Sequence, residues 1–242
     1  MEFIELALQG GTCPVRLIGN TGNRASPIVI LFMDAFGPRP VLFDLAESLA
    51  ADGYRVLLPD LFYRHAPYRP LDPQSLFSGG EDRARLHVLI GGLDQDALDA
   101  DVQGLLGLCR ELSDGPARIG ATGYCMGGRY SLTAASLGAE VLAAASFHGS
   151  GLAPESGASA HHRLSGTKAR IYIGVADLDP TFDAAEQGRL AAVLREARTG
   201  HMIESYPNAA HGFVMADLPV YNEAASRRHH ERLRALFAEQ LS

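Results

Sequence analysis

Ala117-Arg118-Ile119-Gly120-Ala121-Thr122-Gly123-Tyr124-Cys125-Met126-Gly127-Gly128 decides how this chain is read. The run up to Thr122 has the length and apolarity of a strand, and Arg129 to Leu137 has small residues at helical spacing. Between them lies a glycine-flanked turn. A strand, a sharp turn and a helix with a nucleophilic residue at the apex form a nucleophile elbow, here with cysteine where serine is usual. The glycines have a steric reason: side chains two residues before and after the apex would collide across the turn. By itself the motif is equally compatible with a small buried cysteine in a glycine-rich turn.

Working outward, the chain alternates strands and helices. Ile28 to Met33 is a continuous apolar run of strand length, as in a strand buried on both faces of a parallel sheet. Pro38 and Pro40 open a helix whose Leu42, Leu45, Ala46 and Leu49 recur on one face, and Gly53 stops it. Tyr54 to Leu58 is the next strand. Asp96 to Leu112 is helical, with Cys109 on its apolar face. Val141 to Phe147, Arg170 to Val175 and Met202 to Tyr206 complete the strands, and a helix from about Glu223 to Leu241 ends the chain. Asp183 is expected to cap a helix with Glu186 three residues on. Before all this, Phe3 to Leu8 and Val15 to Ile18 flank Gln9-Gly10-Gly11-Thr12 as an N-terminal β-hairpin. The expectation is one α/β domain over residues 1–242: a mostly parallel, doubly wound sheet of the α/β-hydrolase type with that hairpin added. Residues 61–95 break the rhythm with prolines, aromatics and the breaks Phe77-Ser78-Gly79-Gly80 and Ile90-Gly91-Gly92. They read as a partial lid.

Composition excludes several classes. A net charge of −7 disfavours nucleic acid or an anionic membrane as partner. The acidic start at Met1-Glu2-Phe3-Ile4-Glu5 is unlike a signal peptide, and no run of about 18 apolar residues could span a bilayer. A cytoplasmic address is the default. Cys13, Cys109 and Cys125 are widely spaced and odd in number, which points to reduced thiols and to no metal site; Cys13 and Cys109 read as structural.

Ligands of a doubly wound sheet bind beyond the carboxyl ends of its strands. Asp34, Cys125, Asp177 and His211 all follow strands there. Cys125, Asp177 and His211 appear in the order nucleophile, acid, histidine, which is the α/β-hydrolase order. In that reading the Cys125 thiolate attacks an ester or lactone carbonyl, and His211 takes the proton and later activates water. Asp177 orients the imidazole. The backbone N–H groups of Met126 and Ala35 serve the oxyanion. Asp179 is the rival for the acid, set aside because it comes second after the strand and precedes a proline. His148 also ends a strand and is a candidate to line the pocket.

These residues resemble the dienelactone hydrolase family, the carboxymethylenebutenolidases. The match rests on Gly123 to Gly128, Gly174-Val175-Ala176-Asp177, Ala210-His211-Gly212-Phe213, and Leu58-Pro59-Asp60-Leu61-Phe62-Tyr63-Arg64. The resemblance implies an α/β-hydrolase fold, a mechanism without metal or cofactor, and a triad of Cys125, Asp177 and His211. It implies that Asp34, where the family pattern has glutamate, contacts the cysteine and takes part in its activation. It makes Tyr63 and Arg64 candidates for substrate binding, whereas Phe213-Val214-Met215-Ala216-Asp217 lacks the arginine that holds a substrate carboxylate in dienelactone-processing members. The expected substrate is a small ester or lactone, with the oligomeric state open. The alternatives are a non-catalytic hydrolase-fold protein that binds a small ligand or partner, and a thiol redox sensor at Cys125.

Overall fold

A computed structural model of the 242-residue chain describes residues 1–77, 81–91 and 94–242. The breaks expected at Ser78 to Gly80 and at Gly92 lie outside the described residues. Among the described residues no helix is long and apolar enough to cross a membrane.

Among the described residues, eight strands form one sheet. β1 (Glu2–Leu8) and β2 (Gly11–Ile18) make the antiparallel hairpin. β3 (Ile28–Phe32), β4 (Arg55–Pro59), β5 (Ile119–Tyr124), β6 (Val141–Phe147), β7 (Arg170–Ala176) and β8 (His201–Tyr206) follow. Their order in the sheet is β1-β2-β4-β3-β5-β6-β7-β8, with β4 through β8 mutually parallel and β2 antiparallel to β4. The central strands β3, β4 and β5 are buried along their whole length, which is why they read as unbroken apolar runs instead of alternating ones.

The crossover helices are α1 (Pro40–Ala51), α4 (Gln95–Glu111), α5 (Gly127–Leu137) and α6 (Ala184–Glu196), and α7 (Glu223–Gln240) follows the last strand. Neighbouring residues of a strand point to opposite faces, and β6 shows how the layers divide. Ser146 faces Gly128 of α5, while Phe147 packs edge-on against His229 of α7 at 4.3 Å. So α5 and α7 cover opposite faces of the sheet. Gln95 of α4 bonds Thr133 of α5 at 3.0 Å, and Arg234 of α7 bonds Asp52 at the end of α1 at 2.7 Å, which joins each pair of helices on its own face. Asp183 accepts the Glu186 N–H as the expected cap of α6; Asp94 and Asn222 cap α4 and α7 in the same way.

The segment read as irregular holds more helix than expected: a 3-10 turn at Tyr63–His65, α2 (Pro73–Phe77) and α3 (Asp82–Ile90). Its apolar residues are too sparse to show a period. These short helices are held from outside instead, by Asp82 accepting from the Asp72 N–H and from Arg69 and Arg85.

Candidate active site

The parallel register sets the site. Phe32 lies opposite Gly123, so each chain leaves its strand two residues later at Asp34 and Cys125 respectively. Cys125 stands at φ 55°, in the left-handed region that costs a side chain energy unless the surroundings enforce it. Here they do. A Cβ on Gly123 would lie 1.9 Å from the Gly127 oxygen, and one on Gly127 would lie 2.5 Å from the carbonyl oxygens of both Phe32 and Met33. Only hydrogen fits at either position, so the turn closes tightly and lifts the thiol out of the sheet. Cys125 remains partly accessible, whereas Cys13 and Cys109 are buried. Burial pushes the Cys13 thiol up to about 12, and its hydrogen bonds reach the backbone carbonyls of Asp60 and Pro14. Neither is suited to attack.

The turn after β8 brings His211 beside Cys125, where the charge of the sulfur acts on the imidazole. Its Nδ1 is 2.6 Å from Asp179 Oδ2. The acid paired with the histidine is therefore Asp179, and the expectation for Asp177 is not met. The Asp177 carboxylate accepts the N–H groups of Asn208 at 2.9 Å and Ala209 at 3.1 Å. It clamps the turn that carries His211 without touching the ring. The reason is the turn itself. The Asp179 N–H folds back onto the Ala176 carbonyl, which swings the second aspartate inward, where its side chain is 1% exposed. The Thr181 N–H and hydroxyl both donate to Asp179 Oδ1, and the hydroxyl lies 3.1 Å from the same histidine nitrogen.

The charges agree with this geometry. Burial works against a charged His211, but the Cys125 sulfur and the Asp179 carboxylate outweigh it and push the imidazole up to about 10. Burial raises the Asp179 carboxyl, and the hydrogen bonds from His211 and Thr181 more than reverse this, leaving it below the usual range.

Two backbone donors complete the arrangement. Among the described residues, the N–H groups of Met126 and Ala35 are not taken up by any hydrogen bond. One follows Cys125, the other belongs to the loop after β3, and an oxyanion needs a pair of this kind.

The remaining candidates lie elsewhere than expected. Asp34 is 2% exposed, accepts the Phe36 N–H, and has both carboxylate oxygens on the Arg39 guanidinium at 2.6 and 2.9 Å. Among the described residues it makes no hydrogen bond to Cys125. Tyr63 and Arg64 do not face the site: both bind Asp101, a fully buried residue of α4, Arg64 through two bonds of 2.7 Å and Tyr63 through one of 2.7 Å. A buried carboxylate needs paired donors, and these two residues supply them.

His148 stands beside the site but behind it. Its ring packs edge-on at 5.2 Å from His211 and at 5.4 Å from Phe213, with neither nitrogen hydrogen-bonded. Burial, followed by the charge on His211, holds it well below the usual histidine range, so it is neutral. Arg39 escaped the sequence reading altogether. Its only signal was its place between two prolines at the start of a helix, which looked like punctuation.

Comparison with known proteins places the chain in a family. The family model of the dienelactone hydrolase family matches residues 15–241. The chain belongs to the dienelactone hydrolase family of ester-bond hydrolases. Within the family, a carboxymethylenebutenolidase of a Pseudomonas species is 25% identical over 201 residues, 83% of this chain and 79% of that protein. The carboxymethylenebutenolidase of Pseudomonas putida is 27% identical over 136 residues, 56% of each chain. Among solved structures, a dienelactone hydrolase-like promiscuous phosphotriesterase from metagenomic libraries superposes with a TM-score of 0.75 at 23% identity, covering 100% of this chain and 99% of its own. At that identity the likeness is one of fold.

Proposed function

We propose that the chain hydrolyses small esters or lactones through a triad of Cys125, His211 and Asp179. The observation that carries this is the sequence of groups from Cys125, held in a strained turn, to His211 beside it and on to a buried carboxylate 2.6 Å from the ring nitrogen. The Cys125 sulfur attacks the carbonyl carbon as thiolate, its proton passing to His211. The carbonyl π electrons move to oxygen, which the N–H groups of Met126 and Ala35 receive. The tetrahedral species collapses, the C–O bond to the leaving group breaks, and His211 protonates the departing alkoxide. A thioester on Cys125 remains. His211 then takes a proton from water, whose oxygen displaces the sulfur and releases the acid. Asp179 holds Nδ1–H throughout and stabilises the charged ring.

The proton acceptor in this reading is His211 and not Asp34, because both oxygens of Asp34 are committed to Arg39. The test is turnover of p-nitrophenyl acetate with intact-mass analysis. The wild-type protein is expected to show a transient acetyl adduct that peptide mapping assigns to Cys125. Cys125→Ala is expected to lose both the adduct and turnover; wild-type rates in that variant would refute the assignment.

A further inference from the structure

Two loops in front of the elbow are joined by one guanidinium. Asp34 follows β3, beside the Met33 carbonyl that Gly127 packs against; Asp217 lies six residues after His211 in the turns following β8. Arg39 lies between them with its side chain 10% exposed, its guanidinium 5.0 Å from the centre of the Phe36 ring.

Each of the five N–H bonds of Arg39 is spent. Nη1 reaches Asp34 Oδ1 at 2.6 Å and the Gly37 carbonyl at 3.4 Å, Nη2 reaches Asp34 Oδ2 at 2.9 Å and Asp217 Oδ1 at 3.2 Å, and Nε reaches Asp217 Oδ2 at 2.6 Å. A guanidinium has no further donor to offer. Two carboxylates against one guanidinium leave the group net negative. An incoming carboxylate thus finds no free donor and an opposing charge. The two partners are not equivalent: Asp34 is inaccessible, while Asp217 is 35% exposed at its side chain.

We infer that Asp217 acts as a built-in carboxylate that occupies Arg39 and so restricts the enzyme to esters and lactones without a carboxylate of their own. This rests on the hydrolase reading above. It makes Asp217 a specificity-determining residue: it competes for the donor pair that a substrate anion would need, and it disfavours the anion by charge repulsion as well.

The experiment uses substrate pairs matched in size that differ in one carboxylate. p-Nitrophenyl valerate against mono-p-nitrophenyl glutarate places the charge on the acyl side; p-tolyl acetate against 4-acetoxybenzoate places it on the leaving group. The readout is the ratio of kcat/KM within each pair. Wild type is expected to favour the neutral member. Asp217→Asn is expected to move the ratio towards the anion by about tenfold or more in at least one pair, since a freed charged donor pair discriminates at that scale. Asp114→Asn removes the same formal charge at the other end of the sheet and is expected to leave the ratio in place. An Asp217→Asn ratio that moves no further than that of Asp114→Asn, or a wild type that prefers the anion, would overturn the inference. Thermal stabilisation by monomethyl glutarate against dimethyl glutarate reads the same preference without turnover. Stabilisation of Asp217→Asn by the anion, absent in wild type, supports the inference even if no ester is cleaved, and equal responses of the two proteins count against it. Absence of turnover on every ester would fault the hydrolase reading alone.

Discussion

At the residue scale, two aspartates two positions apart do different work. Asp177 holds backbone and Asp179 holds the imidazole. Asp179→Asn removes one of the two charges that raise His211, the other being that of the Cys125 sulfur, and in the proposed mechanism loss of this carboxylate is expected to lower kcat by about 10²- to 10⁴-fold. Asp177→Asn keeps the ring pair and is expected to lower kcat by less than about tenfold, through looser positioning of the β8 turn. Reversed magnitudes in stopped-flow assays would return the role to Asp177. The pair also links stability to pH. The folded-state value of His211 lies above its ordinary one, so its contribution is complete below the ordinary histidine value and is lost as pH rises through about 10. The folded-state value of Asp179 is depressed, so its contribution is present above the ordinary carboxylate value and is lost as pH falls below it. In thermal melts from neutral pH to about pH 10.5, wild type should lose more Tm than His211→Gln does.

At the element scale, the elbow joins β5 to α5 by exclusion of side chains. Gly123→Ala sets a methyl 1.9 Å from one backbone oxygen and 2.2 Å from its carbon, and neither can move without opening the turn. The expected cost is at least about 3–4 kcal/mol, at the upper end for a single substitution, seen as a lower urea midpoint together with loss of activity. A near-neutral result would mean that α5 can slide along β5. The lid-like segment behaves differently. Its 3-10 turn is fastened to α4 by Tyr63 and Arg64 on Asp101, and Tyr130 of α5 adds a bond of 3.4 Å to the same carboxylate. Residues that looked like pocket walls are the rivets of that segment.

At the scale of the whole molecule, the sheet has a reactive end and a structural end. Arg55 opens β4 at the structural end and is 1% exposed. It donates to the carbonyls of Ser26, Arg24 and Leu112, and so ties the entries to β3 and β4 to the end of α4. Arg55→Met fills the space but leaves these carbonyls without a donor, at about 1–3 kcal/mol for each group that water does not reach. A net loss of about 3 kcal/mol is expected, or roughly 6–12 °C in Tm for a chain of this length. Because the sheet separates Arg55 from the elbow, kcat of the folded protein should not change. A drop in kcat at temperatures where the variant is fully folded would show that the two ends are coupled.

The order of strands and helices, the hairpin, the elbow and the place of His211 in the turn after β8 were all legible in the sequence. Each follows from local chemistry: apolar runs of strand length, helical spacing, capping residues, and glycines where no side chain fits. What the sequence could not decide is what the tertiary structure decided. Asp177 and Asp179 differ only in how a turn after β7 aims two identical side chains, and that direction depends on backbone bonds to Ala176, Asn208 and Ala209. Asp217, the more distant carboxylate on Arg39, lies 178 positions away in the chain, and Asp101 lies 38 and 37 positions from Tyr63 and Arg64. Hydrophobic periodicity records which face of an element is buried, because burial acts on every residue of that face. A hydrogen bond between two distant side chains leaves no such periodic trace, so the carboxylate serving His211 and the one occupying Arg39 emerge only when the chain is folded.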